Sequence, residues 1–316
     1  MPDEMRDAFG HALVALGEEF PEIVVLDADL NTSSKTVYFK ERFPRRFIQC
    51  GIAEQNMFGI AAGLALQGYI PFPSTFAVFA AKRALDQISI SVAYPRLNVK
   101  IPGSYVGLPT SRAGASHNAV EDLATMRVVP HMRVADPGDN QELVALMRTA
   151  VETPGPVYFR ITRYTLPDLF PAGHVFRWGE GHRLLEGTDV TLVGTGMMTS
   201  LCLRAAEILA RDGLHAEVLH CGSVKPLDAA LVAVSARKTG AVVTAENASV
   251  VGGLGSAVAE VLAEGAPAVL RRVGVRDSFV ESGGTAELFR HHAMRPEDIA
   301  AAAREAIGVR EEGAAR

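Results

Sequence analysis

At 316 residues the chain exceeds the roughly 100–200 residues typical of one domain, so two units are expected. Its 48% hydrophobic and 21% charged residues are ordinary for a globular protein with a sizeable core. The net charge of −5, with basic residues scattered, speaks against a nucleic-acid or anionic-membrane partner.

The N-terminus, Met1-Pro2-Asp3-Glu4-Met5-Arg6-Asp7, is charged and lacks the apolar region of a signal peptide. The most apolar stretch, 57–72, is broken by Gln67 and three glycines and is too short to span a bilayer. Cys50, Cys202 and Cys221 are far apart and form no C-x-x-C pair. Neither a disulfide framework nor a zinc site is expected, and a cytoplasmic location fits.

In chain order, Ile23-Val24-Val25-Leu26 reads as a buried strand running into the polar Asp27-Ala28-Asp29. Met57, Ile60, Ala61 and Leu64 repeat at helical spacing, predicting a helix that begins near Glu54 and stops at Gly68. Asp139, with Glu142 three residues on, opens a second helix whose stripe is Leu143, Leu146, Met147 and Ala150. Pro154-Gly155-Pro156 then breaks the chain before a strand over 157–161. From Leu166 to Gly187 the periodicity lapses among prolines and glycines. Beyond it, strands are expected at 190–193, 216–219, 241–244 and 269–273, with a helix on Leu201, Ala205 and Ile208 ending at Gly213. Strand–helix alternation of this kind predicts an α/β fold with a parallel sheet in each unit. The units are placed at 1–170 and 188–316, the linker at 171–187, and a frayed tail at 310–316.

Two motifs invite a chemical reading. Gly194-Thr195-Gly196 follows a strand and precedes a helix, as a dinucleotide site would. The third small residue is replaced by Thr199, and the next strand ends in His220-Cys221 without an acid. A tight turn is the better reading than an oxidoreductase site. Gly51-Ile52-Ala53-Glu54-Gln55-Asn56-Met57 places a carboxylate at a helix start, where it could simply serve as a cap.

Further segments follow that one: Thr75-Phe76-Ala77-Val78-Phe79, Arg83-Ala84-Leu85-Asp86-Gln87-Ile88, Leu97-Asn98-Val99-Lys100, Gly114-Ala115-Ser116-His117-Asn118-Ala119-Val120-Glu121-Asp122 and Phe159-Arg160-Ile161-Thr162-Arg163. In this order and spacing they resemble the pyrimidine-binding domain of transketolases and of the related deoxyxylulose-phosphate synthases, over about residues 7–165. Lys225-Pro226-Leu227-Asp228 and Gly252-Gly253-Leu254-Gly255 extend the likeness, more weakly, into the family's C-terminal domain.

The resemblance implies a thiamine-diphosphate enzyme that transfers a two-carbon ketol or acyl unit. It casts Glu54 as the acid on the aminopyrimidine N1′ and Phe76 and Phe79 as aromatic residues packed around that ring. Ile52 would be an apolar contact beside the acid, and Leu30 the bulky residue that bends the cofactor. Arg163 and Ser33 match substrate-phosphate contacts, Arg160 lies nearby, and His117 matches a position beside the substrate oxygens and the cofactor. For either arginine the plain alternative is a surface salt bridge.

Two departures concern the substrate. Ala113 stands where sugar-phosphate transketolases carry an aspartate that recognises a donor hydroxyl, and Tyr105 stands near the place of a usual histidine. Losing hydroxyl-binding groups argues for a changed donor or acceptor. No Gly-Asp-Gly occurs to hold the cofactor's Mg²⁺, and Gly138-Asp139-Asn140 reads as a helix cap. No metal ligand is therefore assigned to this chain. The split form of the family implies a partner chain carrying the diphosphate-binding domain and the metal, in a two-plus-two assembly. Other readings are a decarboxylating ligase like deoxyxylulose-phosphate synthase, the beta subunit of a 2-oxo acid dehydrogenase component, and a non-catalytic paralogue.

Overall fold

The computed structural model describes residues 4–314. Its strands, in chain order, are β1 (Ile23–Asp27), β2 (Phe47–Gln49), β3 (Ile70–Phe76), β4 (Lys100–Ser104), β5 (Arg133–Ala135), β6 (Val157–Ile161), β7 (His182–Leu185), β8 (Val190–Gly194), β9 (Ala216–His220), β10 (Ser223–Lys225), β11 (Ala241–Ser249) and β12 (Val269–Val275). One sheet runs β10-β5-β6-β4-β3-β1-β2 and the other β12-β11-β8-β9-β7. Both are parallel except at one edge: β10 is antiparallel to β5, and β7 to β9. Strands β1, β6, β8 and β9 are buried at every residue, as expected where helices cover both faces of a parallel sheet.

The expected helix at Glu54 spans Glu54–Leu66 and packs on β3. It buries Met57, Phe58, Ala61 and Ala62, while Ile60 and Leu64 lie at the margin of the core. The helix Asn140–Glu152 is capped by Asp139, whose carboxylate accepts from the Glu142 N–H at 2.7 Å. The return bond of a capping box is not made. Glu142 instead accepts from the Gly138 N–H at 2.6 Å.

Two expectations are corrected and a third, the parallel sheets, holds with a refinement. The segment expected as linker ends in β7, an edge strand of the second sheet. The expected tail is helical as far as Ala314 in the helix Pro296–Ala314, because Arg310 docks on the Asp189 and Thr239 carbonyls at 2.7 Å each. Each expected parallel sheet carries one antiparallel edge, and β10 crosses from the second unit's sequence into the first unit's sheet.

The units are locked together around that crossing. Lys225 donates to the Arg127 and Val129 carbonyls at 2.7 and 2.6 Å. Arg127 in turn binds the Gly252 and Gly253 carbonyls of the second unit. At the strand-to-helix turn, Gly196 has φ +52° and a side chain there would collide with the Asp136 carboxylate. The turn is thus closed by the first unit rather than open to a dinucleotide. No helix among the described residues is long and apolar enough to cross a membrane.

Candidate active site

The candidate site lies at the carboxyl ends of β1, β3 and β4, where side chains from successive loops converge. At the end of β1, buried Asp27 organises the loop that carries Leu30 and Ser33. It accepts from the Leu30 N–H at 2.6 Å and from the Thr36 and Ser34 hydroxyls at 2.8 and 3.3 Å. Burial pushes its carboxyl above the ordinary range despite those donors. Leu30 is half-buried against the core that contains Phe76 and Tyr105.

Glu54, at the first turn of its helix, is only 1% exposed. Both of its oxygens lie 3.0 Å from Nη1 of Arg83. Arg83 itself is 48% exposed along its side chain, and its guanidinium sits 4.5 Å above the Phe79 ring. The two residues share the wide π-helical turn Phe79–Arg83, whose spacing stacks the first residue under the last. Arg83 falls within one of the family-like segments, yet the resemblance assigns it no role. The signal available is a basic residue four positions beyond an aromatic.

Phe76 and Phe79 stack with centroids 5.8 Å apart, and His117 meets both edge-on at 5.9 and 5.5 Å. His117 is half-buried, and its Nδ1 lies 2.9 Å from the Ser116 hydroxyl. Phe79, Arg83, Lys82, Val78, Ala115 and Ser116 line a cleft of about 400 Å³. Phe76, Phe79 and His117 are therefore brought together, and Glu54 is joined to them through Arg83. Ile52 is 77% exposed beside them, outside the packed cluster.

Tyr105 is the hub of the far side. Its ring stacks on Phe76 at 4.2 Å, Arg163 lies 5.3 Å above it, and its hydroxyl accepts from Arg6 at 3.0 Å. Arg6 also donates to the Ser33 carbonyl at 3.3 Å, so Ser33 joins through its backbone rather than its hydroxyl. Sequence reasoning misses Arg6, because a residue in a charged first helix carries no local sign of a partner 99 positions away. Exposed Arg163 borders a second cleft of about 330 Å³ with Ser111, Arg112, Ala113 and Thr285. The loop between Tyr105 and Gly114 is strained: Tyr105 has φ +61° and Ser111 φ +62° with ψ −120°. Such conformations cost about 1–3 kcal/mol each and must be held by their surroundings. Here Asn247 accepts from the Leu108 N–H at 3.0 Å, and Ser111 donates to the Gly283 carbonyl at 2.8 Å.

The surface ion pair offered as the plain alternative is corrected for Arg160, which is 1% exposed and paired with Asp122 at 2.8 Å and Asp136 at 3.0 Å.

Comparison with known proteins finds matches along nearly the whole chain. Residues 3–168 match the transketolase pyrimidine-binding domain, and residues 179–299 the transketolase C-terminal domain. A 6-deoxy-6-sulfo-D-fructose transketolase subunit from Clostridium sp. is 45% identical over 95% of this chain and 94% of its own length. One of the subunits of an apulose-4-phosphate transketolase from Phocaeicola vulgatus is 34% identical over 96% of this chain and 97% of its own. A solved split-gene transketolase, described as an inactive beta4 tetramer, is 50% identical with a TM-score of 0.91, covering 97% of this chain and 99% of that one. The chain belongs to the transketolase family and is similar along nearly its full length to separate subunits of its split members.

Proposed function

We propose that the chain supplies the proton-holding half of a thiamine-diphosphate-dependent transketolase, which moves a two-carbon ketol unit to an aldehyde acceptor only when a diphosphate-binding partner chain is present. The observation that carries this reading is Glu54, a carboxylate sealed from water, whose half-exposed partner Arg83 packs on Phe79 in the cluster of Phe76, Phe79 and His117.

These residues fit the aminopyrimidine end of the cofactor. A lone buried acid suits one ring nitrogen, and two aromatic faces suit a flat heterocycle. They do not fit the diphosphate end, which calls for clustered oxygen ligands to Mg²⁺. We therefore assign the metal to the partner. Glu54 would hold the proton shared with N1′, favouring the imino tautomer whose 4′-nitrogen acts as internal base. When bound, the cofactor supplies the carbon nucleophile that accepts and releases the two-carbon unit.

Arg83 spans both Glu54 oxygens with one nitrogen, so turning it toward one frees the other for the ring. Leu30 would press the cofactor into its bent form, and Ile52 would pack on it from the open side. Both roles act through proximity. His117 would stand over the reacting carbonyl. The exposed guanidinium of Arg163, with Arg112 along the same cleft, suits an anionic terminal group on the substrate, and Ser33 stands on the approach. Ala113 removes a hydroxyl contact, which favours a substrate other than the common ketose phosphates. The relatives named for 6-deoxy-6-sulfo-D-fructose and for apulose-4-phosphate support the same direction.

An assembly of two such chains with two partners is supported by the exposed apolar side chains of Ile52, Leu66, Ile90 and Tyr94 in the first unit. The test is reconstitution. This chain alone, with thiamine diphosphate and Mg²⁺, should not turn over, and activity should appear with the partner. Glu54→Gln should then lower kcat by about 10²–10⁴ while leaving assembly intact. Robust activity without the partner would refute the split, an indifferent Glu54→Gln would indicate a non-catalytic paralogue, and release of CO₂ from a 2-oxo acid would indicate a decarboxylating ligase or a dehydrogenase component.

A further inference from the structure

A second cluster of chemistry-bearing side chains lies away from the candidate active site, where the segment joining the two units runs between them. Glu142 belongs to the helix Asn140–Glu152 of the first unit, His174 to the connecting segment, and His182 to β7 of the second sheet. One ligand atom from each lies within 4.8 Å of the others. We infer that Glu142, His174 and His182 form a binding site for a divalent transition-metal ion, with zinc the fitting class, that ties the connecting segment to both units.

The donor set is the first argument. Two imidazoles and one carboxylate suit Zn²⁺ and its neighbours rather than Mg²⁺ or Ca²⁺, which prefer all-oxygen shells. Metal–ligand bonds of about 2.0–2.2 Å place tetrahedral ligand atoms roughly 3.3 Å apart. Closing from 4.8 Å or less asks only for small side-chain rotations.

The second argument is how the ligands are held. Glu142 accepts from the Gly138 N–H and pairs with His220 Nε2 at 2.7 Å, and both bonds fall on Oε2. Oε1 is not used by them. His220 is fixed in turn by the Thr199 hydroxyl, 2.7 Å from Nδ1. His220, bonded to both Thr199 and Glu142, would orient the carboxylate as outer hydrogen bonds do in metal sites. His174 lies flat on Phe170, with centroids 4.1 Å apart, and meets His182 edge-on at 5.2 Å.

A third observation is independent of the spacing. Nε2 of His174 is buried with no hydrogen-bond partner among the described residues. A buried imidazole nitrogen left unbonded forfeits the water it would otherwise hold. A metal ion would satisfy it. Three protein ligands leave a fourth place for water.

The test uses tag-free chain assembled with its partner, stripped with a chelator and titrated with Zn²⁺ or Co²⁺. The expected result is about one tightly held equivalent per chain, with the intense visible absorption of four-coordinate Co²⁺. His174→Gln and His182→Gln should each weaken retention at least tenfold. Glu281→Gln should leave it unchanged, although Glu281, His291 and His292 form another, more exposed group of similar composition. Failure of the wild-type chain to retain either ion through gel filtration would overturn the inference, as would loss of binding in Glu281→Gln alone. Should the histidine variants misfold, the anomalous difference map of a zinc-soaked wild-type crystal decides instead. A peak between Glu142, His174 and His182 supports the site, and a peak only elsewhere sinks it.

Discussion

Two arginine–carboxylate pairs in the first unit have similar contact distances and opposite surroundings. Arg83 holds Glu54 at 3.0 Å with nearly half of its own side chain in solvent. Arg160 holds Asp122 at 2.8 Å and Asp136 at 3.0 Å with 1% exposed. It also donates to the Asn247 carbonyl at 2.9 Å, so every side of its guanidinium faces protein. The first pair has one member that water can take up, the guanidinium, and its departure leaves a single buried carboxylate. The second has none, because removing either partner strands a charge in the interior. The same ion pair is thus a removable cover in one place and a fastener between the units in the other. Exposure of the arginine separates the two roles; contact distance does not.

The largest effect should come from the sealed pair. Arg160→Met leaves two buried carboxylates without a cation and is expected to cost about 3–5 kcal/mol of stability, read from the denaturant midpoint. Adding Asp122→Asn and Asp136→Asn should recover much of that loss. If it does not, the guanidinium acts by packing rather than by charge.

Next comes the open pair. Arg83→Met strands one buried carboxylate rather than two and should cost less stability than Arg160→Met in the same measurement, while shifting the thiamine diphosphate concentration needed for half-maximal activity of the reconstituted enzyme. A stability loss equal to that of Arg160→Met would erase the distinction between cover and fastener.

The smallest effect is a slope with pH. Buried Glu246 accepts from the Leu254 and Gly255 N–H groups at 2.7 and 2.8 Å, yet burial pushes its carboxyl up to about 7. The folded value lies above the ordinary 4.5, so between the two the native chain keeps a proton that the unfolded chain has released. Its contribution is therefore fully present below pH 4.5 and declines as pH rises through 7. Glu246→Gln should flatten the stability profile between about pH 5 and 7.5. A profile unchanged by the substitution would place the titration on another group.

Much of this is legible in the sequence, for local reasons. The helix from Glu54 and the cap at Asp139 announce themselves within a few residues, and the strands show as short β-branched runs. Motif order selects Glu54, Phe76, Phe79 and His117; the three rings meet in space, and Glu54 reaches them through Arg83. What escapes depends on distant partners. Arg160 alternates with apolar residues as a solvent-facing strand position would, and its acids lie 38 and 24 positions away. Tyr105 reads as a mere departure, yet it bridges Phe76 to Arg6 and Arg163 from a backbone conformation that no side-chain pattern reveals. Strand β10 has only three residues, too few for an alternation to register.

That short strand has a consequence for how such a protein can be rearranged. Ser223–Lys225 finishes a sheet whose other six strands come from the other half of the chain, while Lys225 ties down the Arg127 and Val129 carbonyls there. Neither half is a self-contained module that could be exchanged freely between relatives. A graft of the second half must bring three residues that still fit the recipient's Arg133–Ala135, or leave that border unpaired and open to any extended peptide nearby.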